Sequence, residues 1–313
     1  MSKINRIFLI LSLFILSFPL IQPPAAVFGI AGKDQSEYIS YLENHPLGAS
    51  QEGLAQYIVL LRSPVKSNQR QAAIQRAVAA SGGRVKAFYS AAINGFSAEL
   101  PPAALAQLQA DPDVALIEPD SMFSIHDVWP NPSLDVTSGS QSNPVWNLDR
   151  IDQRDLPLDQ TYTYNTEAGD VHVYVVDTGL RASHEEFTGR VGDGFSALDD
   201  GRGTSDCNGH GTHVAGTIAG STYGVAKNAT VHPVRVLDCE GEGVGSGILA
   251  GLDWIITNGR SPGVVNLSLG GEASDILDLA VNSVIDAGFT VVAAAGKEIG
   301  IDISHHTSDP VDK

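Results

Sequence analysis

Short apolar runs alternate with segments of helical spacing through the second half of the chain. The apolar runs, rich in β-branched residues, cover 171–177, 231–238, 263–271 and 290–296, and the helical segments cover 246–259, 274–288 and a stretch that starts at His210. Near-continuous apolar strands separated by helices are typical of a parallel sheet with helices on both faces. The pattern therefore predicts an α/β fold with a doubly wound parallel sheet, whose functional site is expected at the carboxyl ends of the strands.

The chain between residues 56 and 126 follows a different order. The predicted strands are 56–63, two alternating stretches on either side of Asn94-Gly95 within 84–100, and 114–120, and the predicted helices are 68–83 and 103–112. The order is βαββαβ over about 70 residues, which is typical of a small sheet with two helices on one face. The pattern therefore predicts a small α+β, ferredoxin-like domain ahead of the parallel sheet.

Residues 127–144 separate these two patterns. They are rich in proline, serine, asparagine and glycine and show no hydrophobic period, which predicts a linker. A peptide bond in such a linker is open to proteolysis. The second folded part is then expected to begin at residue 145.

The first 31 residues combine a basic start with one apolar run. Lys3 and Arg6 precede the apolar residues 7–21, a run shorter than the ~20 residues needed to span hydrocarbon as a helix. This pattern predicts a secretory signal peptide over residues 1–31, and an uncleaved membrane anchor is the alternative. No cysteine follows the run to carry a lipid, and no later apolar run approaches spanning length. We therefore expect a secreted protein without a stable membrane span after signal removal.

Charge excludes one class of partner. The chain has 36 acidic and 19 basic residues and a formal charge of −17, which opposes the phosphates of nucleic acids. Because 43% of its residues are hydrophobic, the chain can fill real cores. We expect a folded protein that does not bind nucleic acid.

The two cysteines, Cys207 and Cys239, lie in the second half of the chain. In an oxidising compartment one disulfide is the expected state, and two unpaired buried thiols are the alternative. A zinc site made with His210 and His213 is a further alternative. It is disfavoured because the spacing lacks the HExxH pattern and a disulfide accounts for both thiols.

Asp177 and His210 are the first candidate catalytic residues. Asp177 ends the strand 171–177, and His210 begins the next helix between Gly209 and Gly211. Each alone is typical of a turn or a helix start. Together they suit acid–base chemistry, because a carboxylate can orient an imidazole that takes a proton from a nucleophile. Acid first and histidine second is one chain order known for hydrolytic triads.

Several motifs in this order resemble the subtilisin-type serine proteases, in the secreted branch that includes proteinase K and aqualysin. The motifs are YVVDTGL (174–180), NGHGTHVAGTIAG (208–220), YGVAKNATVHPVRVLD (223–238) and NLSLGG (266–271). Residues 148–164 resemble the start of the mature aqualysin-like enzymes, and 56–126 resembles the inhibitory propeptide of the family, inhibitor I9. Residues 145–296 are thereby identified as a partial subtilase catalytic domain.

The resemblance implies roles for particular residues. Asp177 would orient His210, which would act as general base and then general acid, and Cys207 and Cys239 match a disulfide of that branch. Two stretches would bind an extended peptide substrate through backbone, as in strand addition. They are Gly241, Glu242 and Gly243 on one side and Ser268, Leu269 and Gly270 on the other.

The resemblance also implies a structural calcium ion and no organic cofactor. Asp149, Asp152 and Gln153 match residues that bind calcium in some relatives. Oxygen ligands suit a hard cation, although acidic residues near the start of a domain are more often solvated.

The pattern of the family breaks at the nucleophile. The family carries its serine in Gly-Thr-Ser-Met-Ala, which this chain lacks, and the one Gly-Thr-Ser is residues 203–205, in the loop before His210. Lys297 follows Gly296 where relatives have the asparagine that holds the oxyanion, and residues 297–313 form a divergent tail.

We therefore interpret the chain as a truncated precursor of a secreted serine endopeptidase, inactive as written. Its partners would be polypeptide substrates and its own propeptide, acting as an intramolecular inhibitor. The alternative is a non-catalytic module whose propeptide-like domain binds or inhibits a complete subtilase.

Overall fold

The structure is a computed structural model that describes residues 54–125 and 139–295. These residues belong to one compact unit. The predicted signal peptide, the divergent tail, Gly296, Lys297 and most of the predicted linker lie outside the described residues. Among the residues that are described, no helix has both the length and the apolar character needed to cross a membrane.

Residues 54–125, here called the antiparallel part, form the predicted βαββαβ order. The elements are β1 (Ala55–Leu61), α1 (Asn68–Ala80), β2 (Arg84–Tyr89), β3 (Gly95–Leu100), α2 (Pro102–Gln109) and β4 (Val114–Pro119), followed by the short strand β5 (Met122–Ser124). The sheet order is β2-β3-β1-β4, with antiparallel neighbours throughout. The helix α1 begins where the Ser67 hydroxyl accepts a hydrogen bond from the Arg70 N–H, as N-cap serines do.

The strand β1 is apolar on both of its faces, and each face packs in a different core. Val59 is buried with Phe96 and Leu100 in the core of the antiparallel part. Ile58 points to the opposite face, because successive strand side chains alternate, and it joins the core of the following residues. The antiparallel part therefore has its helices on one face and residues 139–295 against the other.

Residues 139–295, here called the parallel part, contain the predicted parallel sheet. Its elements are β6 (Ser140–Ser142), α3 (Trp146–Ile151), β7 (Thr161–Thr163), β8 (His172–Asp177), β9 (Phe195–Ser196), α4 (His210–Ala219), β10 (Thr230–Arg235), β11 (Glu242–Val244), α5 (Gly245–Asn258), β12 (Gly263–Leu267), β13 (Gly270–Gly271), α6 (Asp275–Asp286) and β14 (Thr290–Ala293). Five strands in the order β14-β12-β8-β10-β9 are parallel to their neighbours.

Helices cover both faces of this sheet, so it is doubly wound as predicted. Val173 and Val175 of β8 pack with Ala215 of α4 on one face. Tyr174 and Val176 pack on the other face with the buried residues of α5 and α6. In the sheet, β10 lies next to β8 on one side, and β12, which comes later in the chain, lies next to β8 on the other side. The carboxyl end of β8 is therefore the switch point at which α/β sheets form crevices.

Short strands differ from the sequence expectation in two places. Residues 140–142 fall within the predicted linker but pair as β6 with β7, and the domain boundaries themselves stay predictions. The predicted strand 263–271 ends at Leu267, and Gly270–Gly271 leaves the parallel sheet to pair with β5. In both places the partner strand lies elsewhere in the chain, so the local hydrophobic pattern does not predict the pairing.

Candidate active site

Asp177 and His210 lie in contact at the carboxyl end of β8. Asp177 is fully buried, and the Nδ1 atom of His210 lies 2.8 Å from its Oδ1 and 2.9 Å from its Oδ2. Oδ1 also accepts the N–H of Thr178 at 2.7 Å. Because an ionised carboxylate only accepts, a neutral His210 ring carries its proton on Nδ1 and leaves Nε2 as an acceptor. This tautomer can take a proton from a hydroxyl group.

Glycines allow the first turn of α4 to reach the turn after Asp177. A Cβ atom on Gly211 would lie 2.3 Å from the carbonyl oxygen of Gly179, so a side chain does not fit there. Gly209 has φ +111°, a backbone conformation that favours glycine. The N–H of Gly211 donates to the Thr178 hydroxyl at 2.9 Å. Gly211 therefore allows the close packing, and Gly209 allows the backbone turn, that together fix the position of His210.

Asp206 is a site residue that the sequence analysis missed. Its Oδ1 accepts the N–H groups of Asn208 and Gly209 and the Thr178 hydroxyl, and its Oδ2 accepts both the N–H and the hydroxyl of Thr212. Burial alone would raise the pKa of Asp206, but these hydrogen bonds outweigh burial and lower the pKa. An ionised Asp206 thus ties the loop before His210 to the turn after Asp177. The available signal was an aspartate just ahead of a helix start.

The predicted disulfide joins Cys207 and Cys239 in the structure. The Asn208 side chain donates to the Cys239 carbonyl at 3.0 Å, so the loop before α4 is held to the turn before β11. The zinc alternative has no thiols left, and no three histidine, cysteine or acidic side chains converge for a metal within the residues described.

The strand β5 lies between β11 and β13 in a three-stranded antiparallel sheet. Ser124 is opposite Glu242 on one side and Gly270 on the other, and Phe123 is opposite Gly243. The N–H of Ile125 donates to the Gly241 carbonyl at 3.2 Å. The structure thus brings four of the six predicted substrate-binding residues to two sides of one extended segment.

The other two predicted residues do not pair with β5. Leu269 is 4% exposed and belongs to the core, and the Ser268 hydroxyl accepts a hydrogen bond from the Asn266 amide at 2.9 Å. Both lie in the turn between β12 and β13.

Glycine lets residues 122–125 come close to their neighbours. A Cβ on Gly271 would lie 2.5 Å from the Phe123 ring, and a Cβ on Gly241 would lie 2.4 Å from Cγ1 of Ile125. Phe123 itself is 2% exposed. Missing side chains on both flanks are what a strand-addition cleft needs.

Three carboxylates connect the antiparallel part to α5 and α6. The Asp120 carboxylate accepts the Ser246 N–H at 2.8 Å, and Glu118 accepts the Ser274 hydroxyl at 2.7 Å. Asp253 Oδ1 accepts three successive N–H groups, those of residues 90–92, at 2.9, 2.6 and 2.8 Å. Burial raises the pKa of Glu118 to about 6 and also raises the pKa of Asp120.

The predicted calcium ligands lie in the last turn of α3 and directly after it, and each forms hydrogen bonds with backbone groups. Asp149 Oδ2 accepts the Gln160 N–H at 2.9 Å, and Asp152 accepts the Thr163 N–H at 2.5 Å. The Gln153 amide nitrogen donates to the carbonyls of residues 155 and 157. Asp149 Oδ1 is buried without a hydrogen-bond partner. That unpartnered oxygen favours a hard cation, and the calcium site stays a prediction.

A nucleophile is not found beside His210 in the part of the chain that is described. No serine hydroxyl there lies within hydrogen-bonding distance of the His210 ring. Ser205, from the one Gly-Thr-Ser, pairs with Leu180 in an isolated bridge and donates its N–H to the Arg202 carbonyl. It serves the loop before α4.

Comparison with known proteins covers both parts of the chain. Residues 168–311 match the Subtilase family, and residues 38–126 match Peptidase inhibitor I9. The extracellular serine proteinase of Thermus sp. (strain Rt41A) is 46% identical over 305 residues, which are 95% of this chain and 71% of that protein. Alkaline serine exoprotease A of Vibrio alginolyticus is 47% identical, over 68% of this chain and 39% of the exoprotease.

A solved structure is also similar, that of a cold adapted subtilisin-like serine proteinase. It shows 53% sequence identity and a TM-score of 0.48, over 50% of this chain and 57% of that chain. The chain therefore spans between two fifths and about seven tenths of the length of these similar proteins.

Proposed function

This chain belongs to the subtilase family, and on that premise we propose that it is the precursor of a secreted serine endopeptidase. The reaction would be hydrolysis of a peptide bond through an acyl-enzyme. The observation that carries the proposal is the 2.8 Å contact between His210 Nδ1 and Asp177 Oδ1. The same structure also holds an extended segment, β5, as a strand between β11 and β13. The extracellular Thermus relative supports secretion.

In this mechanism His210 moves the protons. Its Nε2 would accept the proton of an attacking serine hydroxyl and return it to the leaving amine. Asp177 would keep the ring in the tautomer with the proton on Nδ1 and stabilise the imidazolium that forms. Backbone groups of β11 and β13 would hold the substrate as an added strand.

Residues 54–125 would inhibit the same site. The strand β5 pairs with both β11 and β13, so a substrate strand cannot pair there at the same time. The match to Peptidase inhibitor I9 supports this role. Removal of residues 54–125 would then open the cleft.

A chimera tests the peptidase function. Residues 1–295 would be joined to the remaining C-terminal portion of the Thermus proteinase, and hydrolysis of a chromogenic peptide would be followed. With a peptide that has no acidic side chain, we expect turnover that His210→Ala abolishes, whereas His213→Ala, one turn along α4, leaves most of it. A folded chimera without turnover, or one indifferent to His210→Ala, contradicts the proposal.

We also propose that the 313-residue polypeptide has no turnover by itself. Its sequence contains no Gly-Thr-Ser-Met-Ala. In subtilisin itself, loss of the serine costs about 10⁶ in kcat, and an oxyanion donor is worth about 10²–10³. Activity in the purified chain that a serine-directed phosphonate abolishes would show this to be wrong.

The second candidate is a binding module that acts on other subtilases. It is favoured because the antiparallel part has a core of its own, which includes Val59, Phe96 and Leu100. The test is titration of residues 54–125, once circular dichroism shows them folded, against the Vibrio exoprotease. Absence of inhibition at micromolar concentrations removes this candidate.

A further inference from the structure

A groove of about 480 Å³ lies along the flank of α4, outside the contacts that the proposed mechanism uses. Residues from the segment 181–187, the loop before α4, the exposed side of the helix and Tyr223 line it. Its volume falls in the range of small-ligand sites in proteins. The groove has room for a few peptide residues.

The groove begins where the peptide cleft ends. Asn208 and Gly209 line the groove, and the Asn208 side chain bonds to the Cys239 carbonyl. The Asn208 amide nitrogen also lies 3.5 Å from where a Cβ of Gly241 would be. Gly241 accepts the last described hydrogen bond of the cleft segment, from Ile125. A peptide bound in the cleft that continued past this point would meet the mouth of the groove.

The two carboxylates that line the groove are already occupied by donors. Asp206 accepts five hydrogen bonds, which come from the loop before α4, from Thr212 and from the Thr178 hydroxyl. Glu186 is 6% exposed, and its Oε2 accepts the N–H groups of Thr222 and Tyr223. These donors are uncharged N–H and O–H groups, and they occupy both oxygens of Asp206 and Oε2 of Glu186.

The basic side chains of the groove are the ones left without partners. Arg181 and His213 line it, and neither side chain makes a hydrogen bond or an ion pair within the described residues. His184 also lines it, and its Nδ1 accepts the Glu186 N–H at 3.3 Å. A neutral His184 therefore carries its proton on Nε2, as a donor. Three donor groups, one of them always charged, therefore face the groove.

We infer that this groove binds a carboxylate group of a peptide, next to the cleft between β11 and β13. The inference rests on the proposed function for the statement that the cleft takes peptides. A guanidinium and two imidazoles suit a carboxylate, because hydrogen bonds with charged partners are stronger than neutral ones. Arg181 and His213 would then favour substrates with an acidic side chain beyond the residues held as a strand.

Direct binding to the full 313-residue chain tests this inference without turnover. The probes are an acetylated, amidated tetrapeptide with one aspartate and its twin with asparagine, and the readout is NMR of ¹³C-labelled histidine rings. We expect the aspartate peptide to shift the signals of His184 and His213 and to bind at least about 5-fold more tightly than the twin. Raising salt from 0.05 to 0.5 M should weaken the aspartate peptide only.

Matched variants locate the charge. Arg181→Gln should weaken binding of the aspartate peptide about 5-fold, and His213→Gln should weaken it to a similar degree. Arg154→Gln removes an exposed arginine that is not in the groove and should change nothing. Both substituted groove positions are at the surface, so near-UV circular dichroism should match that of the parent chain.

The outcomes separate this inference from the peptidase proposal. Equal binding of the two peptides, or no effect of Arg181→Gln, overturns the groove assignment and leaves the chimera test untouched. Binding of acetate or phosphate alone as tightly as the aspartate peptide also overturns it, since the groove would then hold any small anion. An inactive chimera together with selective binding would keep the groove and remove the peptidase.

Discussion

At the scale of single residues, the contact between Asp177 and His210 depends on a close backbone approach that leaves no room for a side chain. Gly211 faces the Gly179 carbonyl so closely that a Cβ would lie 2.3 Å from its oxygen. The chain must then move α4 or the turn after Asp177 to accept any other residue. Either movement changes the 2.8 Å contact between His210 and Asp177.

Gly211→Ala should destabilise the chain by about 1–3 kcal/mol, the usual cost of overpacking. Gly216→Ala is the matched control, because Gly216 lies on the same helix and a Cβ atom there would have no neighbouring atom within 4 Å. Alanine is the better helix former, so the control should gain about 0.5–1 kcal/mol. Urea unfolding of both variants measures the difference, and equal effects would mean that Gly211 is not a packing requirement.

A buried histidine makes stability depend on pH. His232 is 3% exposed, its Nδ1 lies 2.8 Å from the Asp193 carbonyl, and its Nε2 lies 2.9 Å from Nδ1 of His172. Burial lowers the pKa of His232 in the folded state. The unfolded chain, with a pKa near 6.5, therefore takes up the proton first as pH falls.

The contribution of His232 to stability should be present above about pH 6.5 and be lost as pH falls below it. The loss amounts to about 1.4 kcal/mol for each unit by which folding lowers the pKa. His232→Gln should flatten the fall in unfolding free energy between pH 7.5 and 5.5. If the two pH profiles are parallel, His232 does not titrate differently in the two states.

The sequence predicted the residues of the site that carry a chemical signature. Asp177 and His210 stand out because a strand ends on one and a helix begins at the other. Asp206 does not stand out, since an aspartate before a helix is common and its five donors come from residues 178–212. Hydrogen-bond networks of this kind are assembled by the fold and have no local pattern.

At the scale of elements, the hydrophobic pattern of the sequence predicted the long strands and the helices, but it did not predict the short strands. β8, β10, β12 and β14 are apolar runs, and α4, α5 and α6 occupy the predicted positions. β5, β6, β11 and β13 have two or three residues each, too few for a period. Their pairing depends on partners brought together by the larger elements, and β5 with β11 and β13 makes the cleft.

Two helices of the parallel part begin at carboxylates from the antiparallel part. Glu118 meets the start of α6 through Ser274, and Asp120 meets the start of α5 through Ser246. The helix end favours the anion, yet burial is the larger effect and raises the pKa of Glu118 to about 6. Hydrogen bonding from Ser274 acts in the opposite direction and is too weak to offset it.

Glu118→Gln should therefore stabilise the chain relative to the parent as pH rises from 4.5 to 6.5. A raised pKa means that folding favours the protonated acid, so the contribution of Glu118 is full below about pH 4.5 and is lost as pH rises through about 6. Glutamine cannot ionise, and its advantage should reach about 1–2 kcal/mol. Glu240→Gln, at an exposed position on the turn before β11, is the control and should show no such trend.

At the scale of the whole molecule, residues 54–125 and 139–295 are joined through both apolar and polar contacts. Ile58 and Phe123 enter the same core as Leu249 and Leu252 of α5. Asp253, on that helix, accepts three N–H groups of residues 90–92 with one oxygen. Apolar burial supplies attraction without direction, whereas three converging N–H groups fix how β2 and the following turn sit on α5.

Removing the charge of Asp253 should weaken this junction more than any single apolar truncation at its rim. Asp253→Ala leaves three N–H groups without their acceptor, and a hydrogen bond to a charged group contributes about 1.5–3 kcal/mol net. Because water can reach some of these half-buried N–H groups in the variant, the three losses do not add in full, and a total loss of about 2–4 kcal/mol is expected. Amide hydrogen exchange should rise at residues 90–92 first, and urea unfolding of residues 54–125 should separate from that of the parallel part. Asp286→Asn, at the exposed end of α6, removes an equal charge and should leave a single transition. One transition in both variants would mean that the apolar contacts alone hold the two parts together.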